Sequence, residues 1–202
     1  MPRIAAGTVA EHRARQHGLL LAAAREIMLS DGPQAVTPAA VGARAGLARS
    51  SVYKYFSSTG DIYAQLIEEA FARWTERVRE ACAGETDPAA KIAAYVHASL
   101  TLAAAGEHRL LAGALAGVEL PTECTARIQD LHAELDEPLR AAVAEQGDPA
   151  PDITTALLRG IIEGGIQLIE AGRPYTEVGP AVDAFIRGPR SAPPAGPRRT
   201  AP

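Results

Sequence analysis

The run of residues between positions 49 and 55 carries side chains that suit contact with nucleic acid. Arginine can donate two hydrogen bonds to a guanine edge in the major groove, and serine can donate to or accept from several bases. Recognition helices reach base edges with their first residues, and the residues expected to do so here are Arg49, Ser50 and Ser51. The residues expected to bind backbone phosphates, which position a protein without specifying a sequence, are Tyr53, Lys54 and Tyr55. For the two tyrosines, a place in the hydrophobic core is the alternative interpretation.

Two short helices are predicted to position these side chains. Thr37 followed by Pro38 is a typical helix start, with threonine as the cap and proline in the first turn. Gly46 predicts the end of that helix, and a second short helix is predicted from Ala48 to Tyr55. Two short helices joined by a tight turn containing glycine are typical of a helix-turn-helix. The apolar residues expected to lock these helices together are Val41, Ala45, Leu47, Val52 and Phe56.

Charge is distributed unevenly along the chain. Residues 1–60 carry seven Arg or Lys residues against three acids, whereas residues 61–186 carry nine against 21, within a net charge of −4. Residues 187–202 add four arginines and no acid. A basic segment ahead of an acidic one predicts that the basic segment meets a polyanion. Charges scattered by chance over solvated faces are the alternative.

The composition favours an all-α fold. The 202 residues include 42 alanines and only 4% aromatic residues, and alanine is the strongest helix former, whereas strands favour β-branched and aromatic residues. The chain lacks a charge-free apolar run of the roughly 18 residues that a membrane span needs, and its first residues lack the apolar segment of a secretory signal. Cys82 and Cys124 are interpreted as reduced thiols. We therefore expect a soluble cytoplasmic protein.

Apolar spacing and capping signals predict helices along the rest of the chain. A capping box at Thr8 and Glu11 predicts a first helix from Val9 to about residue 30. A break at residues 57–60 precedes a long helix predicted at 61–83. Later helices are predicted at 87–105, 107–118, 122–146, 152–171 and 176–187. Pro138 is expected to kink or break the helix in which it lies.

The helix predicted at residues 152–171 is apolar on two sides. One stripe consists of Ile153, Leu157, Gly160, Ile161, Gly164 and Leu168, and the other of Leu158, Ile162, Gly165 and Ile169. A helix that is apolar nearly all round is buried on more than one side, so we expect its second side to meet a partner subunit. The residues predicted to form this dimer interface are Leu157, Gly160, Ile161, Gly164 and Leu168. Close packing within one subunit is the alternative explanation of the glycines.

The stretch from Leu19 to Ile62 resembles the N-terminal domain of the tetracycline-repressor-like (TetR) family of bacterial regulators. The matching residues are Ala23, Ala24, Gly32, Thr37, Val41, Ala45, Gly46, Leu47, Tyr53, Phe56 and Ile62. The resemblance is specific because residues and spacings agree together across four helices. It covers under a quarter of the chain, and the remainder resembles the family only in length and helical layout.

The resemblance implies a homodimer whose subunits each place a third helix in a major groove of a palindromic operator. It implies phosphate contacts from Thr37, Tyr53 and Tyr55, and base contacts from Arg49, Ser50 and Ser51. Two departures bear on affinity. The family usually has Ser or Thr where Ala48 stands, and a lysine followed by an acid at Thr59 and Gly60. The affinity that this lysine gives is either missing or supplied by Lys54, Arg44 or the N-terminal arm.

The chain is predicted to divide into three parts. We call residues 1–60 the head, a helix-turn-helix DNA-binding domain, and residues 61–188 the body, a larger helical domain for effector binding and dimerisation. Residues 189–202 are predicted to be a disordered tail. The candidate pocket residues of the body are Tyr63, Phe71, Trp74, Tyr95, Leu102, Leu111 and Ile128, although residues of these types are more often plain core than ligand contacts.

No enzymatic activity, cofactor or metal is expected. His97, His108 and His132 lack metal-ligand spacing, and no segment resembles a nucleophile elbow, a phosphate loop or paired carboxylates. The leading hypothesis is a dimeric DNA-binding transcriptional regulator, a repressor that a small-molecule ligand releases from its operator. The alternatives are an effector-independent regulator, and a small-molecule binding protein or enzyme with a relic head. A body without a cavity would favour the effector-independent regulator. A convergent acid–base group in the pocket would favour the binding protein or enzyme.

Overall fold

A computed structural model of the chain describes residues 6–117 and 122–187. All regular secondary structure within these two ranges is helical, which confirms the predicted all-α fold. The helices are α1 (Ala6–Asp31), α2 (Pro38–Arg44), α3 (Arg49–Val52), α4 (Thr59–Ala83), α5 (Pro88–Ala104), α6 (Glu107–Gly117), α7 (Thr122–Glu145), α8 (Pro151–Glu170) and α9 (Tyr175–Ile186). A single 3-10 turn, Pro33–Ala35, joins α1 to α2. The predicted tail lies outside the described residues.

Side-chain caps at Thr37 and Asp87 fix where α2 and α5 begin. The hydroxyl oxygen of Thr37 accepts a hydrogen bond from the Ala40 N–H at 3.1 Å, and the Asp87 carboxylate accepts one from the Ala90 N–H at 2.9 Å. Proline follows each cap in the first turn, where it removes only an N–H that has no partner inside the helix. The predicted starts of α2 and α5 are confirmed.

Two other predicted helix starts are wrong. Helix α1 begins at Ala6, so Thr8 lies inside the helix and is not its cap. Helix α4 begins at Thr59 and not at Asp61, because Ser58 is the cap and its hydroxyl oxygen accepts from the Asp61 N–H at 3.1 Å. Because α3 already ends at Val52, the break between the third and fourth helices spans residues 53–58 and is longer than the predicted one.

Helix α7 runs through Pro138 without ending, so of the predicted kink or break, the break does not occur. Proline removes one helical hydrogen bond and crowds the preceding turn. The residues directly after it, Leu139, Ala142 and Val143, are at most 1% exposed. Burial of these residues outweighs the local penalty of the proline. Helix propensity is a local quantity and does not include this burial.

Helix α4 lies at the centre of the molecule and contacts α1, α5, α6 and α7. Its buried apolar residues are Ile62, Tyr63, Leu66, Ile67, Ala70, Phe71, Trp74 and Val78. Helix α1 contributes one buried face, since Leu20, Ala24, Ile27 and Met28 are at most 5% exposed. These residues belong to one continuous core, so the head and the body are packed together.

Helix α8 buries one of its two apolar stripes, in which Leu158 and Ile162 are the buried large side chains. Gly165 lies in the same stripe. A Cβ atom at Gly165 would come within 2.8 Å of Leu100 Cδ2 and 3.2 Å of Val182 Cγ2. The absence of a side chain at this position therefore allows α8 to pack closely on α5 and α9.

The substitution Gly165→Ala is expected to lower the free energy of unfolding by about 1–3 kcal/mol, the usual range for overpacking a core. Leu100 is fully buried and has little room to move aside. Gly18→Ala in α1 is the matched control, because a Cβ there would meet no atom within 4 Å. The control should gain up to about 1 kcal/mol from the better helix propensity of alanine. Denaturant titration measures both, and equal effects would contradict the close approach at Gly165.

Candidate nucleic-acid interface and effector cavity

The two short helices of the head pack as a helix-turn-helix. Val41, Val52 and Phe56 are at most 1% exposed, and Ala45 and Leu47 pack against them while partly buried. The predicted lock between α2 and α3 is thus confirmed. The turn between the helices passes through Gly46 with a φ of +71°, a conformation in which glycine carries no steric penalty.

The closest approach inside this motif is at Gly42, which was not among the predicted lock residues. A Cβ atom at Gly42 would lie 2.9 Å from the carbonyl oxygen of Leu47 and 3.0 Å from Val52 Cγ2. Because the carbonyl belongs to the backbone, it cannot move aside as a side chain could. The one signal in the sequence is a glycine in the middle of a short helix, where glycine is otherwise unfavourable.

Helix α3 is shorter than predicted and begins without a side-chain cap, as Ala48 implies. The Ser51 N–H bonds to the Ala48 carbonyl oxygen at 2.8 Å, so the backbone alone closes the first turn. Arg49 and Ser50 are exposed and Ser51 is half-buried. The start of α3 therefore presents one guanidinium group and a serine hydroxyl to the surroundings of the protein.

Tyr53 holds Arg49 at the surface of α3. The Arg49 Nη2 group donates to the Tyr53 hydroxyl at 3.1 Å, and its guanidinium carbon lies 5.7 Å from the centre of the tyrosine ring. Tyr53 is 46% exposed, so the core alternative is wrong for this tyrosine. An exposed cation–π contact of this kind stabilises by about 0.5–1 kcal/mol and limits the positions that the Arg49 side chain adopts.

Tyr55 lies between α3 and α1. Its half-buried ring stacks on His17, with ring centres 6.2 Å apart, and the Arg13 guanidinium lies 5.7 Å from the centre of its ring. Arg13 also donates to the Lys54 carbonyl oxygen at 3.3 Å. Tyr55 thus supports the position of the end of the motif, and its phosphate contact stays a prediction.

The other predicted phosphate-binding residues differ in how their polar groups are engaged. The Thr37 hydroxyl oxygen accepts its cap bond and keeps its proton available for donation. Arg44 makes long ion pairs with Glu26 at 3.4 Å and Asp31 at 3.5 Å. Exposed pairs of this length contribute little, so a phosphate could compete for the guanidinium. Lys54 is exposed.

Asp61 joins the helix-turn-helix to α4. Its carboxylate accepts hydrogen bonds from the Ser57 N–H and the Gln65 side-chain amide, both at 2.7 Å. Gln65 in turn bonds to His17 of α1 at 2.6 Å. Burial alone would raise the pKa of the Asp61 carboxyl, but the hydrogen bonds from Gln65 and Ser57 hold it below its ordinary value. Asp61 is therefore ionised at neutral pH and fixes the start of α4 against the head.

A buried carboxylate, Glu107, connects α6 to the head. Glu107 is 7% exposed and accepts hydrogen bonds from Arg25 of α1 and from Arg73 of α4, the second at 3.3 Å. Arg73 also pairs with Glu69 at 2.6 Å. Glu107 is the first residue of α6, where its negative charge is favoured by the positive end of the helix dipole. Sequence patterns did not single out Glu107, because nothing local shows that two arginines distant in the sequence meet it.

A cavity of about 220 Å³ lies among α4, α5, α6, α7 and α8. Four of the predicted pocket residues line it, namely Phe71, Trp74, Tyr95 and Leu111. Tyr63, Leu102 and Ile128 do not line this cavity. Tyr63 is buried near the head, where its hydroxyl donates to the Pro33 carbonyl oxygen, and the other two are partly buried against the core.

The cavity also has polar walls that local sequence patterns did not predict: Ser99, His108, His132, Asp136, Arg159 and Glu163. Asp136 pairs with Arg159 at 3.1 Å. Burial raises the pKa of the Asp136 carboxyl, and Arg159 opposes that rise. Burial likewise raises the pKa of the Tyr95 hydroxyl, which stays protonated at neutral pH.

The three histidines of the body lie on different helices and do not form a common site. His97 bonds to the Tyr175 hydroxyl at 2.8 Å and lies 2.9 Å from the Asp183 carboxylate. His108 and His132 line the cavity on different helices. Among the residues that the structure describes, no group of three or more His, Cys, Asp or Glu side chains is arranged to hold a metal ion.

The second apolar stripe of α8 faces outward. Ile153 and Leu157 are each 65% exposed and Leu168 is 51% exposed. A Cβ atom at Gly160 or Gly164 would meet nothing within 4 Å, so close packing within the subunit, the alternative for these glycines, is wrong. The face continues onto α9 through a shallow apolar groove of about 320 Å³ that reaches Phe185, Ala181 and Val178.

Residues 20–66 match the family model of bacterial regulatory proteins of the tetR family. This segment contains α2, α3 and the start of α4. The chain has no match among curated proteins. The match confirms the resemblance of this segment to the N-terminal domain of the TetR family, and the fold of the chain is that of TetR family regulators of known structure.

Solved structures share the fold across most of the chain at low sequence identity. The TetR family transcriptional regulator PfmR from Thermus thermophilus is 18% identical, with a TM-score of 0.69, covering 86% of this chain and 96% of its own. FadR from Bacillus subtilis in complex with stearoyl-CoA is 18% identical, with a TM-score of 0.70 and coverages of 84% and 97%. AibR in complex with isovaleryl coenzyme A and operator DNA is 14% identical, with a TM-score of 0.68 and coverages of 84% and 97%. No helix in the described ranges is long and apolar enough to cross a membrane.

The substitution Glu107→Gln is expected to lower the free energy of unfolding by about 1–3 kcal/mol, because the partly buried Arg25 guanidinium loses its counter-charge and Arg73 keeps only Glu69. Glu145→Gln is the matched control, since Glu145 is half-exposed and pairs only with Lys91, at 2.6 Å. The control should cost under about 1 kcal/mol. Chemical denaturation compares the two variants, and a smaller loss for Glu107→Gln than for the control would contradict this role of Glu107.

Proposed function

We propose that the chain is a dimeric transcriptional repressor that a small-molecule effector releases from a palindromic operator. The head, residues 1–60, binds DNA, and the body, residues 61–188, binds the effector and dimerises. The observation that carries this proposal is the start of α3. There, exposed donor groups stand at the first residues of the second helix of a helix-turn-helix, where such motifs contact base edges.

The DNA contacts divide into two groups. Arg49, Ser50 and Ser51 read base edges in the major groove, because they occupy the first turn of α3. The residues that contact phosphates are Thr37, Arg44, Tyr53, Lys54 and Tyr55. The excess of basic residues in the head supports this orientation, since the acidic body would be repelled by the same polyanion.

The outward face of α8 is the proposed dimer interface. Leu157, Gly160, Ile161, Gly164 and Leu168 form it, with the groove beside α9 receiving side chains of the partner. Large apolar side chains exposed in one contiguous patch are characteristic of protein interfaces. Glycines that leave open space on the same face permit a close approach of the partner helix. A dimer also gives two recognition helices, as a palindromic site requires.

The cavity in the body is the proposed effector site. It is bounded by α4 and α6, the two helices that also contact α1 in the head. A ligand that prefers one arrangement of these helices shifts the population of the dimer towards that arrangement. A body without a cavity would favour an effector-independent regulator, and the cavity supports regulation by an effector. FadR with stearoyl-CoA and AibR with isovaleryl coenzyme A and operator DNA, which share the fold, give further support.

The substitution Arg49→Ala is expected to weaken operator binding by about 1–3 kcal/mol and to relax the preference at one base position. Arg173→Ala is the control, since Arg173 is an exposed residue of the body that pairs with Glu177 and should not change binding. Affinities are measured by fluorescence anisotropy at one salt concentration, with an operator selected from random DNA. Unchanged affinity and preference in the Arg49 variant would exclude Arg49 as a base reader.

The substitution Leu157→Glu is expected to convert the dimer into monomers, because a charge replaces a largely exposed apolar side chain of the proposed interface. The loss of the second half-site should weaken operator binding by about 100-fold or more. Ala133→Glu, on an exposed position of α7, adds the same charge elsewhere and should leave the dimer intact. Sedimentation analysis measures the oligomeric state. A dimer that persists with Leu157→Glu would place the interface on another face.

A further inference from the structure

We infer that the cavity among α4, α5, α6, α7 and α8 takes a compact ligand with an apolar or aromatic body and a positively charged amino group. The inference rests on the proposed function in treating this cavity as the effector site. Its volume of about 220 Å³ is below the range of roughly 300–1,000 Å³ that is usual for drug-sized ligands. The ligand is therefore small.

Hydrogen bonds inside the protein leave acceptor atoms on two residues that line the cavity, Tyr95 and His132. The Tyr95 hydroxyl donates to the Leu135 carbonyl oxygen at 3.2 Å, so its oxygen remains available to accept. His132 Nδ1 lies 2.8 Å from the Ile128 carbonyl oxygen, which can only accept, so the proton of a neutral ring is on Nδ1 and Nε2 is an acceptor. A ligand that donates hydrogen bonds satisfies both groups.

The ionic groups of the cavity carry an excess of negative charge. Asp136 and Glu163 line it together with one permanent cation, Arg159, which is held 3.1 Å from Asp136. His108 does not alter this balance, because its Nδ1 lies 2.9 Å from the Glu170 carboxylate, whose charge cancels that of a protonated ring. One negative charge therefore remains for a ligand to neutralise.

Glu163 is the more accessible carboxylate for that ligand, since it accepts one neutral hydrogen bond, from the Gln167 side-chain amide at 3.1 Å, and keeps further lone pairs. Asp136 is 19% exposed at its side chain and is already paired with Arg159. Glu163 is 50% exposed, and His108 Nε2 lies 3.7 Å from it, longer than a hydrogen bond. The same cavity is also lined by Phe71 and Trp74, aromatic rings of the kind whose π faces attract a cation within about 6 Å.

The same charges disfavour coenzyme A thioesters such as those bound by FadR and AibR. Such ligands carry several phosphate charges, which need basic partners. The cavity has one permanent cation against two carboxylates, in a segment, residues 61–186, that carries nine basic residues against 21 acids. The cavity of this chain is therefore suited to a ligand of the opposite charge.

Trp74 makes the inference testable, because it is the single tryptophan of the chain and lines the cavity. The full-length protein is titrated at millimolar concentrations with 2-phenylethylamine, 2-phenylethanol and phenylacetate, which share an aromatic ring and differ in charge. The amine is expected to change the Trp74 fluorescence and to bind roughly tenfold more tightly than the alcohol, since charge-assisted hydrogen bonds exceed neutral ones. Phenylacetate should bind most weakly.

The substitution Glu163→Gln is expected to reduce the preference for the amine over the alcohol to about threefold or less, with alcohol binding unchanged. Glu177→Gln, an exposed carboxylate of α9 that does not line the cavity, should keep the full preference. The inference is overturned if the preference survives Glu163→Gln, if no member of the trio binds, or if phenylacetate or isovaleryl coenzyme A binds more tightly than the amine.

Adding selected operator DNA separates this inference from the proposed function. Binding of the amine with no change in operator affinity would support the ligand class and contradict effector-driven release. Release of the operator by isovaleryl coenzyme A, with no binding of the amine, would contradict the ligand class and leave the proposed function standing. Release by the amine, lost in Glu163→Gln, would support both.

Discussion

The packing of α4 against both parts of the chain is the constraint on which the rest of the structure depends. Its first turns bond to the head through Tyr63, whose hydroxyl donates to Pro33, and through Gln65, which bonds to His17. Further along, Trp74 donates to Ser99 of α5 at 3.4 Å. Because close-packed interiors transmit displacement, α4 cannot shift at one end and leave the other unchanged.

Helix α6 is the second element shared by the cavity and the head. Leu111 lines the cavity, and one turn earlier Glu107 holds Arg25 of α1. A buried carboxylate between two guanidinium groups is stable only while both partners stay in place, since an unpaired buried charge is costly. The same few residues that secure the fold therefore also connect the proposed effector site to the proposed DNA-reading surface.

The glycines of α8 show why residue type alone does not give a role. Gly165 allows the close packing of α5, α8 and α9, whereas Gly160 and Gly164 face open space. The apolar period predicted two stripes, and both are present. Which stripe meets the rest of the subunit depends on where α5 and α9 lie, and no local pattern contains that information.

The sequence by itself determined the helices whose ends are set by local chemistry, such as the caps at Thr37 and Asp87, and the apolar lock around Val41. Tertiary structure decided the rest. Burial of the turn after Pro138 keeps α7 continuous. Long-range packing places Phe71 in the wall of the cavity and Tyr63 in the core near the head. Periodicity shows which face of a helix is buried but not what lies opposite. For that reason neither the ionic groups of the cavity nor the pairing of Glu107 with Arg25 and Arg73 could be predicted, since both form where distant helices meet.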